Sequence, residues 1–371
     1  MNKLLRPLPF LLALTLLCIL TALLLPITEK AIILASVIFS AYLLATLIHE
    51  SGHLLAGAWA GLKPKEMIVG PFRIAFTGRS IVLRSNDSWL CFGGTMRFAA
   101  PSSNLEEVAR KWSWMALGGP AGNLLTALLI LLLAPTPYLW AECLLWISFG
   151  LAAATLFPLS NGVSHSDGRL FLILYKKSAR ASLLIAGVIL QKDYLSERRP
   201  AEWNPRITDT AARLLCDLPE RTLEQLAEES ELRMFLYYHF ADKEQPKEAV
   251  EYIQPVSLTK HPSAATPLSR IMIDSLYAVH LLTHSPCSTE SRQEAEALVK
   301  GLSDREPYSY HKAWAALLST QGQTEEAARH LTQAQILLHR WFRPFGTYHF
   351  ELASLSQIQD RLDKASKAAK N

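Results

Sequence analysis

Charge is scarce in this 371-residue chain: 19% of its residues are Asp, Glu, Lys or Arg, where soluble proteins usually carry about a quarter. Half are apolar and the mean hydropathy is +0.14, a balance that argues against a fully soluble or disordered chain. Cysteine is scarce too. Cys18, Cys91, Cys143, Cys216 and Cys287 are odd in number and widely spaced with no C-x-x-C pair, so neither a disulfide framework nor a cysteine zinc site is indicated. Also missing is an A-x-A-like cleavage site in Pro26 to Lys30, which makes the first apolar run a retained helix rather than a signal peptide.

The net charge of +4 hides an asymmetry. Residues 1–180 hold 15 Lys and Arg against 8 Asp and Glu, and residues 181–371 hold 22 against 25. A membrane part followed by a soluble part is the natural reading. Four segments qualify as spans: 8–25, 31–62, 112–134 and 138–158, the last two joined by the short turn Pro135-Thr136-Pro137. The second is too long to lie wholly in hydrocarbon, so its end must leave the membrane. Lys63, Lys65, Arg73, Arg79, Arg84, Arg97, Arg110 and Lys111 crowd the link between spans two and three, and Arg169, Lys176, Lys177 and Arg180 follow span four, whereas the opposite connections offer only Lys30. The positive-inside rule then places both termini in the cytoplasm. Because these charges flank apolar spans, they are assigned to topology and not to nucleic-acid binding. Between Met67 and Ala100, Gly-Pro and Gly-Gly steps interrupt β-favouring runs at Arg73 to Thr77 and Ile81 to Leu83; one or two short hairpins are expected, with an edge strand available to an unwound substrate segment.

The chemistry concentrates at His49-Glu50-Ser51-Gly52-His53. In H-E-x-x-H on a helix, two histidines four apart share one face and reach one metal ion, and the Glu after the first addresses the coordinated water as general base. Zinc lowers the pKa of that water toward about 7 and polarises a scissile carbonyl. Two His and a Glu in an apolar span are costly, which favours function over packing. A third ligand is required. The metzincin continuation is absent, since the position six beyond His53 is Trp59, and Glu66 lies in a basic loop past the expected helix end. Asp167, after span four, is favoured because spans two and four run in the same direction and end toward the same face; His165 is the competitor.

These motifs, with Gly119-Pro120-Ala121-Gly122-Asn123 and Pro158 followed by Asp167-Gly168, resemble the site-2 protease family of intramembrane zinc metalloproteases over about residues 31–175. The resemblance implies one Zn2+ per chain held by His49, His53 and Asp167, with Glu50 catalytic, and a substrate that is itself a membrane-spanning protein. The family's β-rich insertion would correspond to Met67 to Ala100. Thr155 stands where the family commonly has Asn, three residues before the Pro, and the Pro158 to Asp167 spacing is longer than in many members. Asn123 or Asn161 is then expected to position substrate, although Asn123 could equally bond between helices.

Past Arg198-Arg199-Pro200 the composition is that of a soluble helical domain broken by prolines. Phe235 to Ile253 and Ala313 to Leu338 each read as helix, polar turn and second helix, the latter opening on Lys247-Glu248-Ala249 and Glu325-Glu326-Ala327; Trp314, Leu317, Gly322 and Ala327 loosely fit a tetratricopeptide pattern. His280 and His284, four apart without a following Glu, read as ordinary helix histidines.

The expected architecture is therefore an all-α integral membrane helical bundle with a small β-rich loop (1–190), followed by a cytoplasmic, tetratricopeptide-like α-helical domain (200–371). The expected function is intramembrane zinc proteolysis in the cell membrane of a bacterium, in contact with membrane lipid, with a protein partner at the cytoplasmic domain and no nucleic acid. The alternative is a non-catalytic membrane adaptor working through its helical repeats.

Overall fold

The structure, a computed structural model, describes residues 6–78, 80–100, 102–134, 138–160, 165–217, 222–258, 268–284 and 288–368. Asn161 and the turn 135–137 lie outside them. The chain divides into two compact units, 1–182 and 183–371.

The first unit opens with α1 (Pro7–Leu24) and α2 (Glu29–Trp59) and continues through four strands, β1 (Lys63–Val69), β2 (Phe72–Thr77), β3 (Ser80–Ser85) and β4 (Thr95–Ala99). Three helices follow, α3 (Leu105–Leu133), α4 (Leu139–Leu156) and α5 (Asp167–Tyr175), and α6 (Ala179–Tyr194) contains the division between the units. Helices α1 to α4 are long and apolar enough to cross a membrane. Much of their apolar surface is uncovered by protein: Leu24 is 77% exposed and Leu133 78%. Such surface calls for an apolar solvent.

At 31 residues, α2 extends about 46 Å at 1.5 Å per residue, well beyond a hydrocarbon core of about 30 Å. Its end is set by Gly61, whose φ of +83° only glycine adopts freely. There Leu62 N–H donates to Gly57 O (2.8 Å) and Gly61 N–H to Ala58 O (2.9 Å), capping the last carbonyls. Helix α3 starts seven residues before the apolar run. Asn104 accepts from Glu107 N–H (3.2 Å), and Glu106 and Glu107 complement the dipole of that first turn. Hydropathy marks where apolar surface begins, whereas the cap marks where the helix does.

Close approach of α2 and α3 depends on glycine. A Cβ on Gly52 would stand 2.1 Å from Gly118 O, and one on Gly118 2.3 Å from Gly52 O, so the backbones touch where any side chain would part them. Ala41, Ala45 and Leu144 form a small apolar core between α2 and α4.

The four strands make one antiparallel sheet in the order β3-β2-β1-β4. The two β-favouring runs lie in β2 and β3; β1 and β4 were not marked by composition. Charged Lys63-Pro64-Lys65-Glu66 reads as loop, yet buried Glu66 accepts from Arg73 on β2 (Nε, 2.6 Å) and Arg97 on β4 (Nη1, 2.7 Å), so its charge is matched across the sheet. The sheet is tied to the start of α1: Arg6 Nη1 donates to Asp87 Oδ1 (2.8 Å), and the Phe10 ring meets Trp89 edge to face at 5.4 Å.

The second unit is helical: α7 (Pro205–Cys216), α8 (Leu223–Asp242), α9 (Pro246–Ser257), α10 (Leu268–His284), α11 (Thr289–Gly301), α12 (Pro307–Thr320), α13 (Thr324–Trp341) and α14 (Thr347–Ala368). Successive helices pair as α8–α9, α10–α11 and α12–α13, with α14 against the last pair. Two of these hairpins use the same turn. Three residues join α8 to α9 with Glu244 at φ +62°, and three join α12 to α13 with Gly322 at φ +76°. The alanine of each following Glu-Ala step, Ala249 and Ala327, is fully buried where the helices meet.

Two helices of this unit converge on Glu351 of α14. Its carboxylate accepts from Tyr238 of α8 (2.6 Å), Tyr308 of α12 (2.6 Å) and Lys312 of α12 (2.5 Å). Lys312 is 2% exposed and Glu351 1%.

Candidate metal centre

Helix α2 presents His49, Glu50 and His53 buried at 8%, 5% and 6% exposure. The four-residue spacing brings the imidazoles together edge to face, 4.7 Å between centroids, with their Nε2 atoms 3.1 Å apart. Asp167 completes the group. Its Oδ2 is 3.1 Å from His49 Nε2 and its Oδ1 3.5 Å from His53 Nε2. Burial pushes this carboxyl up, but hydrogen bonding with His49 and His53 outweighs that and holds it at about 2.

Asp167 owes its place to contacts between Ser166 and the residues just after α4. Ser166 caps α5, accepting from Arg169 N–H, and its hydroxyl donates to Phe157 O (2.6 Å) while accepting from Leu159 N–H (3.0 Å). A Cβ on Gly168 would stand 1.9 Å from Leu156 O, so only glycine lets α5 begin against the end of α4.

Each surrounding contact orients a ligand. Met115 O and Gly119 N both lie against His53 Nδ1, at 2.8 and 3.3 Å, and fix the ring so that its Nε2 is turned to His49 and Asp167. Gly119 leaves room for the rings, since a Cβ there would be 2.5 Å from His53 Nε2 and 2.6 Å from His49 Nε2. On the sheet side Gly94, at φ +110°, passes over Glu50: a Cβ would stand 2.3 Å from its Oε1. Composition did not mark Met115 or Gly94. The Gly93-Gly94 step was the available signal, and it was read as a loop feature.

Three donor atoms, two imidazole nitrogens and a carboxylate oxygen, lie within 4.8 Å of one another, so His49, His53 and Asp167 could hold a metal ion. The donor set fits the chemistry: neutral imidazole and carboxylate are ligands for borderline divalent ions. Among the described residues this group includes neither His165 nor Glu66, and Glu66 is already paired with Arg73 and Arg97. Trp59 is 80% exposed.

Asn123, one helical turn beyond Gly119, is fully buried with neither its Oδ1 nor its Nδ2 hydrogen bonded. The Thr155 hydroxyl instead donates to Leu151 O of its own helix (2.9 Å). In the second unit the His280 and His284 rings stack at 5.0 Å, and among the described residues no carboxylate joins them as a third ligand. Compared with protein-family models, curated proteins and solved structures, the chain matches none.

Proposed function

We propose that this protein is an intramembrane zinc endopeptidase of the site-2 kind, cutting peptide bonds in or near membrane-spanning segments of protein substrates. The observation that carries the reading is that Asp167 joins His49 and His53 beside buried Glu50, the last three on a helix apolar enough to cross a membrane. His49, His53 and Asp167 hold the zinc, which when bound polarises the scissile carbonyl and makes water more acidic. Glu50 takes the proton of the attacking water and returns it to the leaving amine. Asn123, buried without a partner, offers its amide to the substrate backbone, whose unwound peptide groups need partners in an apolar surrounding. Strand β4, an edge of the sheet, follows Gly94, which lies against Glu50, and offers a strand for pairing.

In this reading both termini are cytoplasmic and the location is a bacterial cell membrane. The paired helices of the second unit form a tetratricopeptide-like stack that recognises a protein partner or the substrate's tail.

The test is zinc content of detergent-purified wild type and Asp167→Ala, alongside cleavage of a labelled single-span helical peptide in micelles. One zinc per chain that Asp167→Ala strongly weakens, with cleavage lost, is expected. A chain that binds no zinc and cleaves nothing, yet loses a protein partner on truncation after Pro200, would be an adaptor.

A further inference from the structure

A second pair of histidine nitrogens converges in the helical unit. His311 on α12 and His330 on α13 face each other with Nδ1 atoms 3.0 Å apart and ring centroids at 5.0 Å. That separation nearly equals the 3.1 Å between the Nε2 atoms of His49 and His53. Two neutral imidazoles satisfy each other at this distance only when one Nδ1 carries hydrogen and the other presents its lone pair. An ion placed between them uses both lone pairs.

Two further features favour such an ion. The pair borders an open cavity of about 540 Å³ whose lining includes Glu326, Arg329 and Gln333, so an ion and its waters have access. Glu326 stands four residues before His330 on the same face of α13, is exposed, and lines the same cavity as both histidines. On the other side Trp314 stacks on His330 at 6.0 Å.

We propose that His311, His330 and Glu326 form a binding site for a divalent transition-metal ion of the Zn2+ or Cu2+ class, which clamps α12 to α13. The donor set repeats the two imidazoles and one carboxylate of the first centre, and suits these ions rather than Mg2+ or Ca2+. Because both histidines sit on the two helices of one hairpin, the ion binds the folded unit and stabilises it by mass action. The site does not depend on whether the first centre hydrolyses peptides.

The experiment uses the full chain in detergent, with His49→Ala and His53→Ala removing the first centre, stripped of metal and titrated with Cu2+ and Zn2+. One ion per chain is expected, with Cu2+ quenching tryptophan fluorescence and Zn2+ raising the melting temperature. His330→Asn and Glu326→Gln should each weaken binding by more than about tenfold while leaving metal-free helicity intact. Trp314→Phe should keep the ion and lose most of the quenching. Unchanged affinity in His330→Asn or in Glu326→Gln overturns the three-ligand site, as does quenching that survives Trp314→Phe. Should His330→Asn fold poorly, His311→Asn serves the same purpose from the other helix.

Discussion

Each unit buries a cluster of polar groups, and the two clusters differ in whether the protein itself satisfies them. In the second unit, Glu351 receives two tyrosine hydroxyls and the Lys312 ammonium, so charge and hydrogen-bonding capacity are matched inside the fold. In the first, the His49 and His53 rings and the Asp167 carboxylate bond one another, whereas among the described residues the buried Asn123 amide on α3 has no hydrogen-bond partner. A closed network pins helices in place. An open one, held by glycine contacts and a capped loop that cost the fold conformational freedom, marks a place prepared for something from outside.

The sharpest way to break this comparison is at Glu50. Glu50→Gln keeps the shape and removes the base; cleavage of a single-span peptide should fall by about 10²- to 10⁴-fold with zinc content unchanged. Equal rates would turn the open cluster into a structural one. Next is the closed network. Glu351→Ala leaves Lys312 buried without a counter-charge and should cost about 3–5 kcal/mol in thermal or denaturant unfolding of the second unit, without altering zinc at the first. Replacing the set together, Glu351→Leu with Lys312→Met, Tyr238→Phe and Tyr308→Phe, should recover most of that loss, since an apolar core needs no partners.

A smaller effect is expected at Gly119. Gly119→Ala drives a methyl into both imidazoles and should weaken zinc binding by about 10- to 100-fold, measured by competition with a chelator. Gly150→Ala, where a Cβ meets nothing within 4 Å, is the silent control. The smallest is a pH effect in the second unit. Burial, aided by neighbouring His284, pushes His280 down to about 4. The unfolded chain then binds more protons than the folded one between about pH 6.5 and 4, so stability falls as pH drops through that window. His280→Asn should flatten that part of a melting-temperature profile.

Much of the first unit was legible because its signals are local. Apolar runs mark α1 to α4, and the H-E-x-x-H spacing puts two imidazoles on one face whatever surrounds them. The limits of those runs were less legible. α3 begins at its Asn104 cap, seven residues before its apolar stretch, and α2 ends three residues before Leu62 because Gly61 turns left-handed. β1 was hidden because its central Glu66 is neutralised by arginines 7 and 31 residues away in sequence. Glu351 gave no signal either, since its partners lie on helices distant in sequence.

By itself the sequence determined the apolar helices, the change to a charged helical half after Pro200, and the pairing of His49 with His53, because each follows from the repeat of one helix or the composition of one segment. Only the tertiary structure decided that Asp167 joins the two histidines while Glu66 pairs with arginines, that glycine backbones bring α3 against α2, and that His311 meets His330. Those facts depend on where separate elements cross, and a crossing is fixed by packing between residues that share no periodicity along the chain.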